Sequence, residues 1–598
     1  MTPQKERDTM APDRTQLVHI AQRWLDALRR TLRSGDADMY EAVFVPDAWW
    51  RDLLAFTGDL RSLHTSAGIG PLIAVAAALD VTDLELDARV APVLLPGGTS
   101  SPVIQLLFDF TTRLGRVQAV ARLTACGSEW KATALFTALD ALRGHEPAIG
   151  RRRPHGAPAI GKRVTEHWAA QRARESEFHD AEPEVVVIGA GHSGLGLAAH
   201  LGSLGVRTLV VERNAHVGDN WRRRYDSLVL HDPVWANHLP FLPFPPNWPV
   251  FTPKDKMGDW LELYARALEL NVWTGSEIVG SAYDAAEARW EVRLERDGQP
   301  RTVRPRHVVL ATGLSGTEPL VPEFAGTGDF RGELLHSGEY STDPARAGRS
   351  VVVVGTGNSG HDIAQDLYNS GAHVTLVQRG PTYVVGGTTV LEVMLEPAYG
   401  EDSPPTEISD LVGASFPRFD ASLQAGLRAG VALMAERDRE ILDGLTARGF
   451  RHNLGDDDMG AMNLFLTRNG GYYIDVGASQ LIANGEIGVV AGAVESFTRD
   501  GVQLSDGTHV PAETVVLATG FRGILDTVRR VLGDQVAAKC GPVWGLDDEG
   551  EIRSVWRRSG HDGFWISGGN LTMARVYNKY LALQIKADLE QIELPSVP

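Results

Sequence analysis

The chain has 598 residues, 43% of them hydrophobic and 22% charged, with a formal net charge of -18. At roughly 150 residues per domain this length predicts about four units with the composition of an ordinary globular protein. The acidic balance argues against a nucleic acid or an anionic membrane as partner, since both ask for a basic surface.

The N-terminus, MTPQKERDTMAPDR, is polar and lacks the apolar core of a signal peptide. No apolar run is long enough to span a bilayer, so a cytoplasmic protein is expected. A first α+β unit is expected over residues 1–150. RTQLVHIAQRWLDALRRTLRSGD sets Leu17, Ile20, Ala21, Trp24, Leu25 and Leu28 on one helical face. SPVIQLLFDFTTRL and GRVQAVARLTA then read as strands joined by a turn near Gly115. Residues 151–182 are polar and basic and read as a linker holding a short helix. The two cysteines, Cys126 and Cys540, form no CxxC pair and no metal-spaced set, so no metal site is expected.

The next segment is repeated. EVVVIGAGHSGLGLAAHLGSLGVRTLVVER, from Glu184, and SVVVVGTGNSGHDIAQDLYNSGAHVTLVQR, from Ser350, align without a gap up to Arg213 and Arg379. Each is a buried strand, a glycine turn, a helix and a second strand, which is a βαβ unit. HVVLATGL (His307–Leu314) and TVVLATGF (Thr514–Phe521) echo one another in the same way. Their order suggests that the first of two Rossmann-type domains is interrupted by the second. The expected bounds are 183–344 for its first part, 345–493 for the inserted domain and 494–598 for its return.

Gly189, Gly191 and Gly194 form one GxGxxG turn, and Gly355, Gly357 and Gly360 form the other. In this motif the first glycine permits the tight turn, the second admits a pyrophosphate and the third lets helix and strand pack closely. The helix N-terminus, with Ser193 in the first copy and Asn358 and Ser359 in the second, then faces the phosphates. The second strands end differently. Glu212, followed by Arg213, can accept hydrogen bonds from ribose hydroxyls, as with FAD or NAD. Gln378, followed by Arg379, removes the negative charge and keeps a guanidinium, which favours the 2′-phosphate of NADPH.

Between the two turns lies FRGELLHSGEY, with Phe330, Gly332, His336 and Tyr340 at fixed intervals. A flavin turn, F-x-G-x-x-x-H-x-x-x-Y and a nicotinamide turn together resemble the flavin-containing monooxygenases over residues 183 to 598. Baeyer–Villiger monooxygenases are similar but usually end that fingerprint in Trp. The resemblance implies that the fingerprint links domains, so His336 is expected to be structural. GDNWRRRYDSLVLHDP (Gly218–Pro233) looks like the family segment that wraps the flavin, which implies Asn220 and Trp221 near FAD. His231 stands where animal-type members usually carry Asn. The Leu-His pair before Pro is similar to the YUCCA enzymes, plant relatives acting on indole-3-pyruvate, and His231 is the one candidate catalytic residue. GFWISGGNLTMARVYNKYLALQIKA (Gly563–Ala587) resembles the closing segment of the family, with Asn570 a candidate flavin contact. PDAWWRDLLAFTGDLRSLH (Pro46–His64) gives the N-terminal unit a resemblance to NTF2-like α+β cones, in which Trp49 and Trp50 are expected to be core.

The expected fold is therefore α/β, with an NADPH domain inserted in an FAD domain and an N-terminal NTF2-like cone. The implied activity is oxygenation of a small molecule by O₂ through a C4a-(hydro)peroxyflavin, at an N or S centre or on a 2-oxo acid. The alternatives are a Baeyer–Villiger oxygenase, an NADPH oxidase or flavin reductase, and a flavin-bound sensor or scaffold. The expected partners are substrate and O₂; homo-oligomerisation is left open.

Overall fold

The computed structural model describes residues 12–95, 102–156, 166–314 and 318–597; parts of the expected N-terminal unit and linker lie outside these residues. The helix Arg14–Ser34 opens on a capping box in which Asp13 and Gln16 bond each other's backbone, and it closes on Gly35 in the left-handed region. It buries Leu17, Ala21, Trp24, Leu25 and Leu28 against a seven-stranded sheet, while Ile20 stays half-buried. The turn at Gly115 joins the antiparallel strands Val103–Thr111 and Gly115–Cys126. The interior of this unit is filled by Phe44, Trp50, Phe56, Phe108 and Phe110. The Trp50 indole is satisfied by Thr137 Oγ1 at 2.9 Å. Trp49 is only half-buried and stacks on His64 at a centroid distance of 4.2 Å. In the linker, the helix Trp168–Ser176 precedes the first parallel sheet.

Two five-stranded parallel sheets follow. The first runs in the order Asn271–Trp273, Thr208–Val211, Val185–Ile188, His307–Leu310, Phe564–Ile566. The second runs Glu333–His336, Thr514–Leu517, Ser350–Val354, His373–Gln378, Gly488–Ala491. Their central strands are apolar on both faces, as a parallel sheet covered on both sides requires. Each sheet has a three-stranded antiparallel companion, Ser276–Val303 for the first and Val494–Pro511 for the second.

This pairing corrects the expected bounds of 345–493 and 494–598. Thr514–Leu517 pairs in parallel with Val351–Val354 and belongs to the second sheet, not to a return of the first. The two Ala-Thr-Gly strands are thus equivalent elements of two separate sheets. The fingerprint strand Glu333–His336 also pairs with Thr514–Leu517, so the second sheet draws on residues 333 to 517. The first sheet receives the chain again only at Phe564–Ile566, beside His307–Leu310.

After that strand the helix Leu571–Leu589 packs against His192–Ser203 on one side and the N-terminal sheet on the other. Its Lys579 meets Asp140 at 2.5 Å. Among the described residues no helix is long and apolar enough to cross a membrane.

Candidate functional site

The two glycine turns have the same construction. Gly189 has φ +107° and Gly355 has φ +116°, a conformation that side chains disfavour. A Cβ on Gly189 would stand 2.7 Å from the Ala311 carbonyl oxygen, and one on Gly355 would stand 2.4 Å from that of Ala518. In both units, then, the Ala-Thr-Gly strand end closes over the turn, while the helix after Gly191 or Gly357 presents free N–H groups.

A cleft of about 190 Å³ opens at the first turn, lined by Gly189, Gly191, Glu212, Asn220, Thr312 and Gly569. Glu212 is held in place by Ala190 N at 2.9 Å and by the backbone and side-chain nitrogens of Asn214 at 2.9 and 2.8 Å. A carboxylate has acceptor sites to spare beyond these three. Arg213 also lines the cleft. The Thr312 hydroxyl is buried without a partner among the described residues, next to Gly189. The exposed backbone cradle, the carboxylate and this orphaned hydroxyl fit a dinucleotide.

Other expected residues are engaged elsewhere. The Ser193 hydroxyl turns from the helix N-terminus to Ser567 Oγ at 2.6 Å. Trp221 is wedged between the cores of the two units, and its indole N–H has no partner among the described residues. Asn570 caps the C-terminal helix by accepting from Met573 N at 2.9 Å, and it lies beside Asp232. His192, which the sequence reading passed over, lies in the same turn, and its Nε2 meets the Gly569 carbonyl at 3.0 Å. Burial pushes its pKa down, which keeps the ring neutral.

At the second turn Asn358 Oδ1 accepts from Ile474 N at 3.0 Å, and Ser359 is half-buried. Gln378 is corrected as a candidate nucleotide reader. It is buried, its Nε2 donates to the Arg451 carbonyl at 2.8 Å, and its Oε1 accepts from Arg451 N at 2.8 Å. The neutral amide is a backbone clamp with both ends used. Arg451 in turn donates to the Gln378 and Arg379 carbonyls at 3.1 and 2.8 Å, which brings a second guanidinium beside the exposed Arg379.

The opening of the second helix, Asn358–Asn369, is stapled to the first unit. Asp362 accepts from the Tyr225 hydroxyl at 2.6 Å and contacts His231 Nε2 at 3.1 Å. One turn on, Asp366 accepts from Tyr340 and Thr342 on one oxygen and from Ser227 on the other. The fingerprint spacing follows from these contacts. Phe330 packs edge-on against Phe497, and Gly332 lets the Phe330 ring and the Glu513 carbonyl approach. His336 donates from Nε2 to the Gly520 carbonyl at 2.8 Å and accepts at Nδ1 from Gly338 N, so both ring nitrogens are used. Tyr340 then reaches the helix that follows the second turn.

Burial alone would lower the pKa of His231, but the Asp362 hydrogen bond and the charges of Asp362, Asp232 and Asp475 outweigh it and raise it. A raised folded pKa stabilises fully below the ordinary histidine value, and the contribution fades as pH rises through the folded pKa. The stability lost in Asp362→Asn is therefore expected to be larger at pH 6 than at pH 9. Urea unfolding at the two pH values measures this; an equal loss at both would contradict it.

The family model described as "Flavin-binding monooxygenase-like" matches residues 182–392. Indole-3-pyruvate monooxygenase YUCCA1 of Oryza sativa subsp. japonica is 32% identical over 374 residues, covering 61% of this chain and 82% of the relative. Probable indole-3-pyruvate monooxygenase YUCCA9 of Arabidopsis thaliana is 32% identical over 339 residues, covering 56% of this chain and 74% of the relative. Among solved structures, a flavin-containing monooxygenase from Stenotrophomonas maltophilia is 19% identical with a TM-score of 0.46, covering 68% of this chain and 99% of that one. An open form of cyclohexanone monooxygenase is 18% identical with a TM-score of 0.48, covering 68% of this chain and 88% of that one.

Proposed function

The chain belongs to the flavin-binding monooxygenase-like family, and from that premise we propose that the first turn holds FAD, the second holds NADPH, and the protein oxygenates a small organic substrate with O₂. The observation that carries this reading is the pair of equivalent glycine turns with opposite strand ends, a carboxylate at Glu212 and guanidinia at Arg379 and Arg451. Reduced FAD supplies the oxygen-activating chemistry; the protein supplies position, hydrogen bonds and dryness.

In this reading the Gly191 helix end receives the FAD pyrophosphate, and Glu212 accepts from the ribose. Arg379 and Arg451 face the 2′-phosphate. The Asp362 and Asp366 staples set how the nicotinamide helix approaches the flavin-side segment that carries Tyr225 and His231. His231 is a positioning group through its bond to Asp362, and a candidate proton donor to the reacting centre.

Because the relatives are named for indole-3-pyruvate, 2-oxo acids are the first substrate class to try. The overall change would be RCOCOOH + O₂ + NADPH + H⁺ giving RCOOH + CO₂ + H₂O + NADP⁺. One residue favours a second reading, oxygenation of a basic amine. Asp232 sits beside Asn570 with a carboxyl whose pKa burial raises, and it could hold a cation or return a proton.

The cofactor assignment predicts a clear selectivity. Arg379→Ala should lower the ratio of flavin reduction rates with NADPH and NADH by about tenfold, the worth of one charge-assisted phosphate contact. Arg379→Ala with Arg451→Ala should abolish the preference. Anaerobic stopped-flow reduction measures both, and an unchanged ratio in the double variant would remove NADPH from the second turn.

A further inference from the structure

One segment of the second unit is held by three other parts of the molecule. It runs from Tyr399 through the helix Thr406–Ala414 to Ser415 and Phe416, and it buries Ile408, Leu411 and Ala414. From the C-terminal helix, Arg575 grips Asp410 with two hydrogen bonds of 2.8 and 2.7 Å, and the Tyr399 hydroxyl adds a third at 2.9 Å. From the flavin-side segment, the Trp235 indole donates to Glu401 at 2.7 Å.

The third hold comes from the N-terminal unit. Arg122 donates to Ser415 Oγ at 2.8 Å, and its guanidinium lies 3.6 Å from the centroid of the Phe416 ring. Arg51 donates to the Ala414 carbonyl and is itself fixed by two 2.7 Å bonds to Glu551. Arg122 is buried, has no ion-pair partner within contact distance among the described residues and leaves its Nε unsatisfied there. A buried cation of this kind costs stability. What it provides in return is a fixed geometry at Ser415 and Phe416.

The segment leads back to the cleft. Arg575 also donates to the Ala236 and His238 carbonyls at 2.7 and 2.8 Å, and Thr572 donates to Ala236 at 2.7 Å. Those carbonyls continue the stretch that carries His231 and Asp232, and Asp232 lies beside Asn570 at the N-terminus of the helix behind Gly569. The 399–416 segment therefore bridges the N-terminal sheet and the helix Leu571–Leu589, and through Trp235 and Arg575 it is tied to the stretch that carries His231 and Asp232.

We propose that the N-terminal unit is a working part of the oxygenase site: through Arg122, backed by Arg51, it positions the 399–416 segment as the wall that keeps water from the substrate side of the flavin cleft. Arg122 is a positioning residue, since it touches neither turn. This inference rests on the reading of the first turn as the flavin site.

The test uses the full chain loaded with FAD. In Arg122→Ala, hydrogen–deuterium exchange of the 406–416 amides should accelerate by about tenfold, the signature of a segment that opens locally. Without added substrate, the uncoupled reaction NADPH + H⁺ + O₂ giving NADP⁺ + H₂O₂ should rise severalfold. Anaerobic flavin reduction by NADPH should stay within about twofold of the parent, because both turns are untouched. Arg122→Lys, which keeps a donor for Ser415, should fall between the two. Phe416→Ala removes the same contact from the other side, should give the same changes, and carries the test if Arg122→Ala does not fold. Folded variants with parental exchange in 406–416 and parental H₂O₂ release would overturn the proposal. Faster exchange in a protein that NADPH does not reduce would uphold the anchoring and sink the cofactor assignment instead.

Discussion

Gly194→Ala is expected to abolish FAD binding, and Gly360→Ala to abolish reduction by NADPH while the flavin stays bound. A Cβ at position 194 would lie 2.0 Å from the Gly189 carbonyl oxygen, and one at 360 would lie 2.1 Å from that of Gly355. Both partners are backbone, so the clash is relieved only by moving the helix from the strand. That shift of more than about 1 Å takes the helix N-terminal N–H groups out of hydrogen-bond range of a pyrophosphate. We expect a loss of at least about 100-fold in affinity at the altered turn, near 2.7 kcal/mol. The flavin-to-protein absorbance ratio reads the first variant. For the second, reduction by dithionite with none by NADPH separates a lost nicotinamide site from a damaged flavin. Loss of flavin in both variants would mean that the two turns do not bind separately.

Glu551→Ala should be the most destabilising single change outside the turns. Arg51 and Glu551 are 2% and 1% exposed at the side chain, joined by two bonds, with Ser62 donating to the same carboxylate at 2.6 Å. Removing the acid leaves Arg51 charged, buried and unpaired, which typically costs 3–5 kcal/mol. Replacing both members by apolar residues, Arg51→Met with Glu551→Leu, should recover most of that, because the desolvation penalty disappears with the charges. The pair also predicts an acid limit. Burial would raise the Glu551 pKa, but Arg51 outweighs burial and holds it below the ordinary glutamate value. Its contribution is present above that ordinary value and is lost as pH falls through the folded pKa. Denaturant unfolding at neutral pH and at pH 4 reads both effects. A double variant as unstable as the single one would contradict the account.

Much of this was legible in the sequence because it is local. The two βαβ repeats, their strand ends and the helical face of Arg14–Ser34 follow from spacing alone. Spacing alone misplaces the return of the chain to the first sheet, because two near-identical strands, at His307 and Thr514, carry no mark of which sheet each joins. Pairing partners far apart in sequence decide that. Gln378 misleads for a related reason. The Glu-to-Gln difference is real, but the partner that consumes the amide, the Arg451 backbone, lies in a stretch with no readable pattern. Asp362 and Asp366 sat in plain view inside the second repeat, one helical turn apart. Their tyrosine partners, at 225 and 340, come from flanking segments that no period connects to the helix. Arg51 and Glu551 meet across most of the chain, and a basic residue in a strand of an α+β unit gives no sign of such a partner.

The fingerprint has a physical basis in these contacts. Phe330 and Gly332 seat the strand in the second sheet, His336 ties it to the turn after Thr514–Leu517, and Tyr340 ends it on the helix that follows the second glycine turn. The four residues are spaced as they are because they meet, in turn, the sheet, the turn that follows its Thr514–Leu517 strand and the helix that covers it.

The central claim, that the protein transfers an oxygen atom from O₂ using FAD and NADPH, is tested most directly by isotope. The FAD-loaded protein is mixed with NADPH and indole-3-pyruvate under ¹⁸O₂, with a basic-amine panel run in parallel, and products are weighed by mass spectrometry. One ¹⁸O atom per product molecule is expected, formed in proportion to NADPH consumed. NADPH consumption that yields only labelled H₂O₂ across both substrate classes, with no labelled product, would contradict it and leave an oxidase.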